Sequence, residues 1–293
     1  MKIKTFTDTA HTFKALQDFA VIVQTCSIDE TMQALQALKA SSLFKGKTGW
    51  QANFSKLETV ILTMNPAYSV FALTGNSKLP FVSFSSLPGV TCPGAGACLD
   101  FCYSFRAWRY PAAFMRQCQN AFLLRHNQSS IVQALYIVND TFKGVSYDVR
   151  LYVDGDFANN DDVTFWFDTI KAFPLAKVYG YSKSFDAILS YGQNGKAYPT
   201  NYMLNISGGH NASIETVEKV KALPITRGEF IAVSIGKKVK SSDHGKPETN
   251  KALRESFKIK AFTCPGACGT CTGKGHACGM QALKGVPIII AMH

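Results

Sequence analysis

The sequence predicts an α/β fold that contains a partial or complete parallel (β/α) barrel. Between residues 148 and 186, a buried strand (DVRLYVDGDF) is followed by an amphipathic helix (DDVTFWFDTIKAFP) and a second buried strand (AKVYGYSKS). Short connections between strand, helix and strand are typical of a βαβ unit with parallel strands. The alternation recurs in NYMLNISGG, NASIETVEKVKAL and EFIAVSIG. Its repetition favours a barrel whose chemistry lies at one mouth, where the strands end.

The segments around this core are assigned from local patterns. Residues 1–60 are expected to form helices and loops, and Ser27 and Glu30 have the spacing of a helix capping box. The other assignments are strands at 59–66 and 68–73, one basic helix over 104–127, a helix at 129–143, an exposed basic loop with a short helix over 236–258, and a final strand, VPIIIAMH. We therefore expect an N-terminal segment (1–80), a barrel core (81–260) and a cysteine-rich tail (261–293).

Composition limits the class of protein. Hydrophobic residues make up 46% and charged residues 17% of the 293 positions, which indicates a globular chain. No apolar run reaches about 18 residues, so no membrane partner is expected. The first residues lack the apolar core of a signal peptide, which predicts a cytoplasmic protein. The net charge of +11 favours a polyanionic partner, nucleic acid first.

Three cysteines lie within the short stretch TCPGAGACLDFCY: Cys92, Cys98 and Cys102. The proline and glycines of this stretch allow tight turns, so the three thiolates are expected to converge on one centre. Three thiolates without a fourth nearby suit an iron–sulfur cluster with one open iron, or a zinc site completed from elsewhere. The chain carries nine cysteines and no export signal, which favours metal ligation over disulfides.

A second cysteine group lies in the tail, with the spacing Cys264-x3-Cys268-x2-Cys271-x6-Cys278. Four thiolates close a tetrahedral zinc site or hold a cuboidal iron–sulfur cluster, and the spacing does not decide between the two. His276 has the chemistry to replace one cysteine, but we expect it to be an exposed loop residue. Cys118 is expected to pack in the core.

Polar residues follow the predicted strands. They are Asp154, Asp156, Ser182, Lys183, Ser184, Ser207, Gly208, Gly209 and His210. Because parallel strands end on one side of the sheet, these groups are expected at the mouth of the barrel together with the first cysteine group. Asp154, Asp156 and Lys183 are the candidate catalytic residues. Carboxylates in such positions also cap helices, so a structural role stands beside the catalytic one.

LPGVTCPGAGACLDFCY, the basic aromatic helix, VRLYVDGDF and the late CPGACGTC resemble the gene-product-88 family of bacteriophage and mobile-element proteins. The resemblance covers about residues 80 to 280. It implies that a phage-encoded protein would act in the host cytoplasm.

The layout also resembles, more distantly, the radical S-adenosylmethionine (radical SAM) enzymes. That resemblance implies a [4Fe–4S] cluster at Cys92, Cys98 and Cys102, S-adenosylmethionine as a possible cofactor, a reductant protein as partner, and a second cluster or zinc in the tail. The implied cofactor-binding residues are Phe101, Tyr103, Gly155, Ser182, Ser184, Ser207 and Gly208. The spacing Cys-x5-Cys-x3-Cys differs from the usual Cys-x3-Cys-x2-Cys.

Two functional hypotheses from different classes follow. The first is an iron–sulfur enzyme that modifies a base or nucleotide of nucleic acid. The second is a zinc-stapled barrel without radical chemistry, either a base transglycosylase with Asp154 or Asp156 as nucleophile or a binding protein without catalysis. The metal that the purified protein carries distinguishes them.

Overall fold

The computed structural model describes residues 9–73, 81–237, 239–268, 271–272 and 275–292. The helices are α1 (Thr9–Thr25), α2 (Ile28–Ala40), α3 (Thr48–Thr63), α4 (Pro111–His126), α5 (Gln128–Thr141), α6 (Asn160–Lys171), α7 (Phe185–Gln193), α8 (Ile214–Lys221) and α9 (Pro247–Ser256). The strands are β1 (Val82–Ser83), β2 (Tyr147–Leu151), β3 (Ala176–Ser182), β4 (Tyr202–Ser207), β5 (Thr226–Val233), β6 (Phe262–Thr263) and β7 (Ile288–Ala291). No described helix is long and apolar enough to span a membrane.

All seven strands belong to one sheet, in the order β1-β2-β3-β4-β5-β7-β6. Every neighbouring pair is parallel, and β7 enters between β5 and β6. The sheet curls into a half-barrel, because parallel strands twist in one sense and the helices α6, α7 and α8 cover its convex side. The prediction of an α/β fold with a partial parallel barrel is confirmed.

Alternation along the strands creates two different faces. Val149, Val178 and Leu204 point to the helices, where they join the main hydrophobic core. Tyr179 and Met203, which are sequence neighbours of Val178 and Leu204, point to the concave side, where Tyr179 belongs to a separate cluster and Met203 packs against it. The main core also includes residues of α1, α2 and α3, so the N-terminal helices share one core with the sheet.

Three local assignments from the sequence are wrong. Residues 59–63 belong to α3, because Leu57, Val60 and Ile61 are buried at helical spacing and outweigh the strand preference of the β-branched run. Residues 68–73 form no strand and contribute one antiparallel bridge, from Ala72 to Ser83. The basic segment 104–127 is not one helix: a 3-10 helix (Tyr103–Arg109) precedes α4, which begins at Pro111.

Helix α3 offers a test of the shared core. Phe54 is fully buried, with its ring 5.1 Å from that of Phe44, whereas Leu62 on the same helix is 72% exposed. We expect Phe54→Ala to lower the free energy of unfolding by about 3–5 kcal/mol in urea denaturation, and Leu62→Ala to lower it by less than about 1 kcal/mol. Equal effects of the two substitutions would contradict packing of α3 against α2 and α4 in the shared core.

Candidate metal centre at the carboxyl end of the sheet

The first cysteine loop crosses the carboxyl ends of β2, β3 and β4. After β2, the Asp156 amide donates to the Thr91 hydroxyl over 3.3 Å. After β4, the Gly209 carbonyl accepts from the amides of Gly96 and Cys98, and the Asn211 amide donates to the Gly94 carbonyl over 3.1 Å. These contacts hold the loop to the ends of β2 and β4.

Two glycines allow this close approach. A Cβ atom at Gly94 would lie 1.8 Å from the Lys183 carbonyl oxygen, which directly follows β3. Gly155 has a φ of +82°, and a Cβ atom there would lie 2.7 Å from the Thr91 hydroxyl oxygen. Any other residue at either position would push the loop away from the strands.

The three cysteines of the loop are electrostatically coupled. Burial and, to a lesser degree, the charge of Asp156 raise the pKa of Cys92 to about 12, against the charge of Lys183, which lowers it. Burial also raises the pKa of Cys102, as does a charge on Cys98, while a charge on Cys102 raises the pKa of Cys92. Thiols with raised pKa values are poor nucleophiles, and a bound cation would supply the charge that converts Cys92 and Cys102 to thiolates.

Asp156 organises the polar groups beneath the loop. It is 3% exposed, and its carboxylate accepts from the Ser182 hydroxyl and the Lys183 amide, each over 2.7 Å, and from the Phe157 amide over 2.8 Å. The Ser182 hydroxyl also accepts from the Ser184 amide over 3.0 Å. Because both oxygens of Asp156 are engaged, its direct effect is to fix the turn after β3.

Lys183 and Asp154 point to different surroundings. The Lys183 amine donates to the Ser207 hydroxyl over 2.6 Å and so connects the ends of β3 and β4, and Gly208 follows Ser207 at the end of β4. Asp154 is partly buried and accepts from the Gln117 amide nitrogen of α4 over 3.0 Å. Burial raises the pKa of Asp154, while hydrogen bonds from Ser104, Gln117 and Ser85 and the charge of Arg150 lower it.

A cavity of about 500 Å³ opens beside the cysteine loop. Pro93, Gly94 and Lys183 form one side, and the first turns of α6, α7 and α8 form the rest. Helix N-termini carry partial positive charge, which attracts anionic groups, and the carboxylate of Asp186 also lines the cavity.

The tail lies on the concave face of the sheet. Cys278 and Ala277 are buried with Tyr179 and Ile288, and the other three cysteines of the tail group pack against this cluster. The expectation that His276 is an exposed loop residue is wrong: it is 7% exposed, its Nδ1 accepts from the Gly279 amide over 3.2 Å, and its Nε2 lies 3.4 Å from an Asp148 oxygen. Nδ1 is therefore occupied by a backbone amide, and Nε2 faces the Asp148 carboxylate.

The predicted site residues therefore fall into two groups around one sheet. Cys92, Asp156, Ser182, Lys183, Ser184 and Ser207 surround the carboxyl ends, and the tail cysteines lie on the concave face. The side chain of Phe101 and residues 269–270 and 273–274 are outside the described residues. Within the described part of the chain, no group of three or more His, Cys, Asp or Glu side chains is already arranged to hold a metal ion.

Sequence reasoning missed Gln117, Arg150 and Tyr181. Gln117 is 2% exposed in α4 and accepts from the Trp108 indole over 2.9 Å while donating to Asp154. Arg150 in β2 and Tyr181 in β3 alternate with apolar residues that point to the helices. Polar side chains on the concave face of a barrel strand were the signal by which the sequence could have indicated them.

Fold and site together define an α/β half-barrel protein with a cysteine-lined carboxyl end. A family model described as Gene product 88 matches residues 45–239, well over half of the chain, so the chain belongs to the gene product 88 family. This match confirms the family resemblance and supports an association with phage. Searches of curated proteins and of solved structures gave no significant match.

The glycine contact in the loop can be tested directly. We expect Gly94→Ala to lower the free energy of unfolding by about 1–3 kcal/mol in urea denaturation, because the loop must leave the Lys183 carbonyl. Gly49→Ala is the control, since nothing lies within 4 Å of a Cβ atom there, and a gain of up to about 1 kcal/mol is expected in helix α3. Wild-type stability of Gly94→Ala would contradict the loop position.

Asp162 provides a pH-dependent test beside the cavity. Burial raises its pKa to about 6, so the folded state holds the proton more tightly than the unfolded state. Stability should therefore fall as pH rises from about 4 to about 6, by at most about 3 kcal/mol. Asp162→Asn, which can still accept from the Ala158 amide, should lack this part of the decline, and the exposed Asp161→Asn should retain it. Unfolding curves recorded from pH 4 to 7 measure this change in the free energy of unfolding. A difference in the free energy of unfolding between Asp162→Asn and the parent that does not change with pH would contradict the raised pKa of Asp162.

Proposed function

We propose that this protein is an iron–sulfur enzyme, similar to the radical SAM enzymes, that modifies nucleic acid at the carboxyl end of the half-barrel. Cys92, Cys98 and Cys102 would hold the [4Fe–4S] cluster. The observation that carries the proposal is the loop of three cysteines attached across the ends of β2, β3 and β4. A structural metal site would have no need to meet the strand ends, where parallel barrels carry their chemistry.

The donor set fits such a cluster. A charge on Cys102 raises the pKa of Cys92, a charge on Cys98 raises that of Cys102, and Lys183 is close enough to lower that of Cys92. Three thiolates leave one iron open, and a cluster bound in this way would supply one-electron chemistry to a substrate or to S-adenosylmethionine. A reductant protein would be the partner that supplies the electron.

Nearby groups support an anionic substrate. The cavity beside the loop is bordered by three helix N-termini and Lys183, and the chain carries a net charge of +11. A polyanion such as nucleic acid is attracted by both. Lys183 would contact a phosphate or carboxylate, Asp156 would keep Lys183 and Ser182 in position, and Asp154 would contact polar groups of the substrate. The proposed location is the cytoplasm of the host.

Anaerobic purification followed by metal analysis tests the cluster. The wild-type protein is expected to be brown, to absorb broadly near about 400 nm, and to contain about four irons at the loop. Cys92→Ser, Cys98→Ser and Cys102→Ser should each lose this iron, whereas Cys26→Ser, at a partly buried cysteine outside both groups, should keep it.

Turnover separates the enzyme from a binding protein. With nucleic acid, reductant and S-adenosylmethionine, Asp154→Asn should retain iron but lose at least about tenfold in rate, since it alters a group at the site and not a ligand. A colourless protein with stoichiometric zinc at the loop would contradict the proposal and would favour a zinc-stapled transglycosylase or binding protein.

A further inference from the structure

We propose that Cys264, Cys268, Cys271 and Cys278 hold a four-thiolate metal centre on the concave face, and that Arg150 and Arg227 balance its negative charge. This inference does not depend on the proposed function, because it concerns other cysteines and another side of the sheet. The metal would be a zinc ion or an iron–sulfur core. Four thiolates around a divalent zinc ion or a core of the same charge leave a net charge of about −2, so both candidates require the same compensation.

The sulfur atoms already accept hydrogen bonds. The Tyr181 hydroxyl donates to Cys278 Sγ over 2.7 Å, the Ala277 amide to Cys271 Sγ over 3.3 Å, and the Gly266 amide to Cys264 Sγ over 3.4 Å. Donors directed at sulfur favour thiolate over thiol and are the usual surroundings of metal-bound cysteine. Three of the four cysteines therefore have such a donor before any metal is considered.

The described carboxylates balance the charges of the two arginines only in part, since Asp154 is the carboxylate on which Arg150 acts. Among the described residues, neither Arg150 nor Arg227 forms an ion pair with a carboxylate. Arg227 is 1% exposed, and its guanidinium donates to the Asn205 side chain and to the carbonyls of Leu283, Val286 and Glu229. A guanidinium stays charged in a protein, and a buried charge without a counter-ion is costly.

Arg150 also acts on the tail cysteines. Its guanidinium carbon lies 4.7 Å from the centre of the Tyr181 ring, and its buried Nε has no hydrogen-bond partner. Burial raises the pKa of Cys268, against the charge of Arg150, which lowers it. Burial likewise raises the pKa of Cys278 to about 11, against the Tyr181 hydrogen bond and the charges of Arg227 and Arg150.

A further buried donor has no partner. The Tyr179 hydroxyl belongs to a side chain that is 1% exposed, it makes no hydrogen bond, and charges on Cys268 and Cys278 act on it. The phenol of Tyr179 and the Nε of Arg150 are donors that an anionic group between them and the tail cysteines would satisfy. A metal–thiolate centre supplies that group from the residues already present.

Co²⁺ titration of the reduced, metal-free full-length protein tests the site, because cobalt bound by thiolates is coloured. The titration is made in a background with Cys92→Ser, Cys98→Ser and Cys102→Ser, so that the loop does not contribute. One cobalt per chain is expected, and Cys268→Ser should abolish it. Undiminished binding by Cys268→Ser would overturn the proposed site.

The arginine role is tested in the same background. Arg150→Met and Arg227→Met should each weaken Co²⁺ binding about 10–100-fold, as loss of an outer contact to a metal site does. Arg254→Met, at an exposed position of α9, should bind as tightly as the parent, and Arg150→Lys should recover most of the loss because it restores the charge. Far-UV circular dichroism identifies a variant that does not fold. A folded Arg150→Met that binds cobalt as tightly as Arg254→Met would overturn the charge balance.

The metal content of the wild-type chain, isolated without oxygen, distinguishes the two metals. Zinc at one equivalent that disappears in Cys268→Ser assigns a zinc site, and iron that disappears assigns a cluster. A metal content that is the same in Cys268→Ser and the parent would overturn the proposal. The two proposals can fail independently. A chain that loses metal from the tail but keeps it at the loop concerns this inference, and the reverse result concerns the proposed function.

Discussion

The carbonyl oxygen of Lys183 lies so close to Gly94 that no Cβ atom fits between them. This contact fixes the cysteine loop against the end of β3, and the hydrogen bonds of Gly96 and Cys98 to the Gly209 carbonyl fix it against the end of β4. The position of the loop therefore depends on backbone packing more than on the cysteines themselves. Because the sheet curls, the strand ends that hold the loop also bring Ser182, Lys183 and Ser207 next to it.

Electrostatics connects the two sides of the sheet. Burial raises the pKa of cysteines in both groups. As free thiols these cysteines are neutral, so they provide no negative charge to the nearby cations. Arg150 acts on Asp154 on the side of the carboxyl ends and on Cys268 in the tail. Asp154 is a carboxylate, but the tail cysteines near Arg150 are neutral as free thiols, and thiolates formed around a metal would add compensating negative charge there.

The sequence predicted the parts of the fold that depend on short periods. The strands β2 to β5 and the helices α6 and α8 follow from buried residues that repeat every two and every 3.6 positions. The polar residues after the strands identify the mouth of the half-barrel. It failed for α3, where Val60 and Ile61 are β-branched but buried at helical spacing. Contacts between segments far apart in the sequence could not be predicted from local patterns. Asn205 of β4 donates to the Cys278 carbonyl over 3.0 Å, so the packing of the tail on the concave face depends on residues 73 positions apart.

Anomalous X-ray scattering at the iron edge, from crystals grown without oxygen, tests the central claim most directly. The account predicts an iron peak at the carboxyl end of the sheet, with Cys92, Cys98 and Cys102 as its protein thiolate ligands and one position open to another ligand. Absence of anomalous density beside these three cysteines, or a zinc-edge peak there with a closed set of four protein ligands, would contradict it.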